Sequence, residues 1–129
     1  MDIKKIAASL ANPVVHNSSI EYGAVGAALE TIDGNIYTGI SIDTACSLGH
    51  CAEHGAIAEM LKNKEFRIKT IVAVDCKGDV VPPCGRCREL IGQLSSDNRK
   101  TLIEVANGEV RTLEELVPYD WKISNGRTW

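Results

Sequence analysis

Three cysteines in two separate clusters most constrain how this chain can fold. The first is Cys51-Ala52-Glu53 and the second is Pro83-Cys84-Gly85-Arg86-Cys87. Zinc favours thiolate ligands, and a catalytic zinc site takes three protein ligands and leaves the fourth position for water. Cys84 and Cys87 stand three apart, so at a helix start they face the same way. Cys51 opens a second helical stretch, whose N-terminal dipole also favours a thiolate. A fold that satisfies both clusters must bring two helix N-termini together from neighbouring strands. Glu53, two residues past Cys51, then reaches a metal-bound water without ligating the ion.

The surrounding pattern supplies such a frame. Ile3 to Ala11 reads as a short amphipathic helix ended by Asn12-Pro13. Ala24 to Glu30 and Asn35 to Ile42 flank the turn Asp33-Gly34 and predict an antiparallel hairpin. A loop from Thr44 to His50 leads to a helix from Cys51 to about Lys64. Thr70 to Asp75 is a short apolar run bounded by polar residues, the mark of a buried strand. After the turn at Lys77-Gly78-Asp79, Pro82-Pro83 halts regular structure just before a helix from Cys84 to about Leu94. Thr101 to Ala106, Asn107-Gly108 and Val110-Arg111 predict a second hairpin. Thr112-Leu113-Glu114-Glu115 is a capping box for a last short helix, ended by Pro118. This order predicts an α/β fold, a mixed sheet with helices on both faces.

Composition narrows the classes. The 129 residues fit one domain, 1–129, and no repeat or linker divides them. No apolar run reaches the roughly 20 residues of a membrane span, and no signal-peptide core follows Met1. A net charge of −3 argues against binding a nucleic-acid backbone. The basic cluster Lys62, Lys64, Arg67 and Lys69 reads as a solvated helix end. Five cysteines without an export signal argue against a disulfide framework and for reduced thiols in the cytoplasm.

Three thiolates on a dication leave the site negative, so nearby donors must draw density from the sulfurs. Arg86, between two ligands, is the first candidate for that role, with His54 and Arg88 beside it.

The pattern Cys-Ala-Glu followed by Pro-Cys-Gly-x-Cys-Arg resembles the zinc cytidine deaminases and the related blasticidin S deaminases. The resemblance extends over Val25 to Leu29, Asp33 to Gly39 and Leu113 to Pro118. It implies a three-layer α/β/α fold with a mixed, roughly five-stranded sheet and one Zn2+ per chain. Cys51, Cys84 and Cys87 would be the ligands and Glu53 the proton shuttle, with the Ala52 backbone N–H offered to the substrate carbonyl. The implied activity is hydrolytic deamination of cytidine, deoxycytidine or an analogue such as blasticidin S, in pyrimidine salvage. The implied assembly is a homotetramer or homodimer in which subunits complete each other's pockets.

Departures from the family pattern bear on the substrate. The family's nucleoside-binding Asn-x-Glu stands here as Ser41-Ile42-Asp43. Gly23 replaces an aromatic residue, and the loop from Ser41 to Cys51 is one residue shorter. His54 replaces an arginine, while Arg86 between the paired cysteines is similar to blasticidin S deaminase. Tyr119 and Trp121 resemble aromatic residues that close the pocket. The resemblance places Cys46 in the substrate loop; a small packed side chain is the equal alternative.

Two other readings use the same residues. Cys84 and Cys87 also suit a thioredoxin-like dithiol redox pair, which leaves Cys51-Ala52-Glu53 without a purpose. A structural zinc site would need a fourth ligand, and His50, adjacent to Cys51, points elsewhere at a helix start and reads as a loop residue near the pocket. Cys76 reads as buried and inert.

Overall fold

In the computed structural model, which describes residues 2–124, the three longer helices pack on the two faces of one six-stranded mixed sheet. Helix α1, Ile3–Leu10, is capped by Asp2, whose carboxylate accepts the Lys4 N–H at 3.0 Å. Strand β1 is the pair Val14–Val15, too short to announce itself by alternation. Strands β2, Ile20–Thr31, and β3, Ile36–Thr44, form the hairpin expected at Asp33-Gly34. Strand β2 starts earlier than Ala24 because a register shift between Tyr22 and Gly26 interrupts its period-2 pattern. Helix α2, Ala52–Lys62, is followed by β4, Ile68–Asp75, then α3, Gly85–Leu94. Strands β5, Leu102–Ala106, and β6, Glu109–Thr112, make the second hairpin, and α4, Leu113–Leu116, and α5, Trp121–Ser124, complete the described chain.

Strand β2 is central: it pairs antiparallel with β3 on one edge, and with β1 and β4 on the other. Strand β5 runs parallel to β4 and antiparallel to β6, so the sheet is mixed. Alternation sorts the core into two layers. Leu29, Ile71 and Ile103 face one way and pack with Ala56, Ile57 and Met60 of α2 and Ile91 of α3. Ala28, Val72 and Val74 face the other way and pack with Ala7, Ile3 and Ile6 of α1. The result is the expected α/β/α layering, with β1 as a sixth strand.

Two local devices set up the functional end. Helix α2 lies directly on β3: a Cβ on Gly39 would run into the Ala52 carbonyl oxygen and the Ala56 amide, so only glycine admits the helix there. After β4 the chain turns back, with Val80 bridged to Val74 and the Val81 N–H donating to Ala73 O at 3.0 Å. That return delivers Pro83 and Cys84 beside the start of α2.

At the opposite end, Asn98 lies in a 3-10 turn, Ser96–Lys100, and is 1% exposed. Its side chain accepts the Ile68 N–H at 2.9 Å and donates to Phe66 O at 2.9 Å and Ile91 O at 3.0 Å. This one amide ties the entry of β4 to the helix α3. The predicted capping box is present, with Thr112 and Glu115 bonding each other's backbone N–H.

Candidate metal centre and active site

Cys51 is the N-cap of α2 and Cys84 the N-cap of α3, each with extended backbone and no side-chain cap bond. Their sulfurs are therefore free to meet outside the helices. Cys51 Sγ lies 3.4 Å from Cys84 Sγ, which lies 3.6 Å from Cys87 Sγ in the first turn of α3. All three sulfurs fall within 4.8 Å of one another. Tetrahedral zinc with Zn–S bonds of about 2.3 Å spaces its sulfurs about 3.8 Å apart, close to these values. A dithiol redox pair needs only Cys84 and Cys87, and leaves the third sulfur at contact distance unexplained.

The electrostatics carry the same message. Burial and then the Glu53 carboxylate push the Cys87 thiol far up, and burial pushes Cys51 up as well. Burial opposes ionisation of Cys84 too, yet the Cys87 and Arg86 amides and the neighbouring thiols outweigh it and hold Cys84 below the ordinary thiol range. Three sulfurs and a buried carboxylate thus crowd one spot with acceptors, and a cation among them relieves that crowding. The donor set fits zinc.

Glu53, in the first turn of α2, is 5% exposed, and burial raises its carboxyl above the usual range against the pull of its own backbone N–H. It lines the same cleft as Cys51 and Cys84, a cavity of about 530 Å³ that also takes in Ser41, Asp43, Ala52, His50 and Arg86. A carboxyl whose affinity for protons is raised by burial, beside the sulfurs, is suited to move protons.

Most of the sequence-predicted residues converge here, but not all. Ser41 lines the cleft, and its hydroxyl oxygen accepts the Val25 N–H at 3.0 Å, which holds the side chain in place. Asp43 and the Ala52 backbone stand in the cleft wall. Arg86 also lines it, whereas Arg88 turns back to Pro83 O at 2.9 Å and spends its Nε there. His54 is not in the cleft wall; its buried Nε2 has no hydrogen-bond partner among the described residues, and burial, then Arg86, then His50 hold its ring below the ordinary histidine range. Cys46 is exposed in a 3-10 turn, Ala45–Ser47, at φ 60°, and its neighbour Ser47 lines the cleft instead. It is therefore not a packed side chain. Cys76 is exposed too, a correction to its expected burial, because it falls in the turn after β4 and not within the strand. Tyr119, at 87% exposure, and Trp121, whose backbone N–H donates to Glu89, do not line the cleft of their own chain.

The sequence places His50 only as a loop residue near the pocket, and the structure adds its contacts there. It forms a backbone bridge with Ile42, its Nδ1 lies 2.9 Å from Cys51 O, and its ring stacks on His54 with centroids 6.2 Å apart. Only the pairing of the loop end back onto β3 reveals this placement. Thr44, in the same wall, has a buried hydroxyl without a partner among the described residues.

Comparisons with known proteins agree with the geometry. Residues 2–103 match the model of the cytidine and deoxycytidylate deaminase zinc-binding region. A cytidine deaminase of Sporosarcina psychrophila is 30% identical over 125 residues, spanning 92% of this chain and 90% of its own. The blasticidin-S deaminase of Bacillus cereus is 39% identical over 105 residues, spanning 73% and 74%. The crystal structure of cytidine deaminase from Mycobacterium tuberculosis superposes with a TM-score of 0.77 at 27% identity, covering 92% of this chain and 94% of that one.

Proposed function

Because this chain belongs to the cytidine and deoxycytidylate deaminase family, and is a zinc-dependent hydrolytic deaminase with one zinc per chain, we propose that its substrate is a cytosine nucleoside or a close analogue. Cytidine and deoxycytidine are the leading substrates, with a blasticidin S-type compound as the variant. We assign the zinc to Cys51, Cys84 and Cys87. The observation that carries the assignment is the triangle of sulfurs at one end of a cleft that Glu53 also lines.

When bound, zinc supplies a water acidified enough to act as a nucleophile near neutral pH. Glu53 would carry two protons in turn: the nucleophile's proton to the ring nitrogen as the C–O bond forms, and then the proton of the added hydroxyl to the amine as the C–N bond breaks and ammonia leaves. Its burial supports this: a desolvated carboxyl holds and releases protons nearer neutral pH than an exposed one. The Ala52 backbone N–H, at the start of α2, would donate a hydrogen bond to the ring carbonyl. Arg86, in the cleft wall, offsets the negative charge of the three sulfurs.

The whole unit is read as one domain, 1–129, working in the cytoplasm on salvaged pyrimidines. Among the described residues no helix is long and apolar enough to cross a membrane. Assembly into a dimer or tetramer follows the resemblance, and Tyr119 and Trp121, off the cleft of their own chain, suit a place at a neighbouring subunit's pocket.

Ammonia release from cytosine, cytidine, deoxycytidine and blasticidin S, measured on protein of known zinc content, tests the substrate class. One of the nucleosides should be turned over well above free cytosine. Zinc-loaded protein inactive on all four would overturn the proposal. In Cys51→Ala, metal analysis should find the tightly held zinc lost.

A further inference from the structure

Arg88 follows Cys87 in sequence, yet it stands outside the cleft wall. Its side chain reaches back to the turn that enters α3, where Nε donates to Pro83 O at 2.9 Å. Its backbone N–H donates to Cys84 O at 3.0 Å. A guanidinium does not lose its proton in a protein, so Nε is a donor at every working pH.

These two carbonyls belong to the peptide planes on either side of the Cys84 Cα. Holding both fixes how the chain passes through Cys84, at φ −68° and ψ 168°, and with it the direction in which the side chain leaves. The turn needs such a hold. The Val81 N–H donates to Ala73 O, but Pro82 and Pro83 have no N–H, so any backbone hydrogen bond they make runs through a carbonyl oxygen. The Cys84 side chain makes no cap bond that would steady the helix entry in its place. Cys84 Sγ is also the middle sulfur of the three, 3.4 Å from Cys51 Sγ and 3.6 Å from Cys87 Sγ. An error in its direction therefore disturbs both spacings.

We infer that Arg88 is a positioning residue of the metal centre: its Nε, by gripping the Pro83 carbonyl, aims the Cys84 sulfur at the point shared with Cys51 and Cys87. The inference rests on the zinc assignment above and goes beyond it, because Arg88 acts through a hydrogen bond to backbone and not through its charge on the sulfurs.

Three variants separate bond from charge. Arg88→Gln is neutral but places an amide N–H as many bonds from Cα as Nε. Arg88→Lys keeps the charge and puts a methylene there. Arg88→Met deletes both. Zinc affinity, measured by competition with a chelator, should fall about tenfold to hundredfold in Arg88→Lys and Arg88→Met, the usual effect of losing the partner behind a ligand. In Arg88→Gln it should stay within about threefold of the wild type, since the amide restores the bond. In cobalt-substituted protein the visible bands, which report the geometry around the metal, should shift in Arg88→Lys and Arg88→Met and match the wild type in Arg88→Gln. An Arg88→Lys protein that holds zinc as tightly as the wild type, or an Arg88→Gln protein as weak as Arg88→Met, overturns the inference. Should the variants not fold, the intact protein still decides: labelled with ¹³C and ¹⁵N and loaded with zinc, it should show a scalar coupling across the hydrogen bond from Arg88 Nε to the Pro83 carbonyl carbon. Absence of that coupling would refute it. Wild-type protein that takes up no zinc defeats the metal assignment itself, which separates the two failures.

Discussion

Asn98 and Glu53 are two polar side chains buried to nearly the same degree, 1% and 5% exposed, at opposite ends of one sheet. Asn98 spends its oxygen and both hydrogens on three backbone groups, at 2.9, 2.9 and 3.0 Å. Among the described residues Glu53 makes no side-chain hydrogen bond of that kind, and its carboxyl is driven up by desolvation. The two regions face the same penalty for hiding polarity from water and answer it differently. Around Asn98 the penalty is offset within the chain and contributes to stability. Around Glu53 it is left standing, and the resulting unease of the carboxyl is what makes it useful as a proton carrier.

The contrast breaks if either residue behaves like the other. Glu53→Gln carries the largest expected effect: turnover should fall by about 10²–10⁴-fold, the usual worth of a positioned acid–base group. Zinc content should be retained and the denaturation midpoint should not fall, since a neutral amide replaces a poorly solvated acid. Retained turnover would remove Glu53 from the mechanism. Asn98→Ala should do the reverse. It strands the Ile68 N–H and two carbonyls, so chemical denaturation should show a loss of about 2–4 kcal/mol. The fraction that stays folded should keep its turnover per zinc; a selective loss of activity would mean the two ends are coupled. Arg86→Ala is the finest probe. It should lower turnover about tenfold, in line with outer partners of metal ligands, with metal analysis unchanged. If turnover holds, His54, which feels the Arg86 charge, is the better candidate for compensating the sulfurs.

The end holding Glu53 was also the more legible in sequence. Cys51, Cys84 and Cys87 are rare residue types in a tight spacing, and each sits at a helix start, where local chain geometry limits where a sulfur can go. Asp33-Gly34 likewise announced its hairpin, because its glycine takes φ 88°. What stayed hidden depended on contacts distant in sequence. The importance of Asn98 exists only because Phe66, Ile68 and Ile91 happen to surround it. The placement of His50 in the cleft wall required the loop end to pair back on Ile42. Strand β1 became a strand only by lying against Tyr22 and Glu21. Tyr119 and Trp121 were expected at the pocket from resemblance, and a single chain does not bring them there.

Gly39, where α2 touches β3 without room for a methyl group, has a practical bearing on altering what this protein accepts. The contact leaves the helix start no slack, so changes meant to reshape the cleft cannot come from shifting α2. Mutant libraries should spare that crossing and vary Asp43, Ser47 and His50, whose side chains can change while the metal-bearing scaffold stays in register.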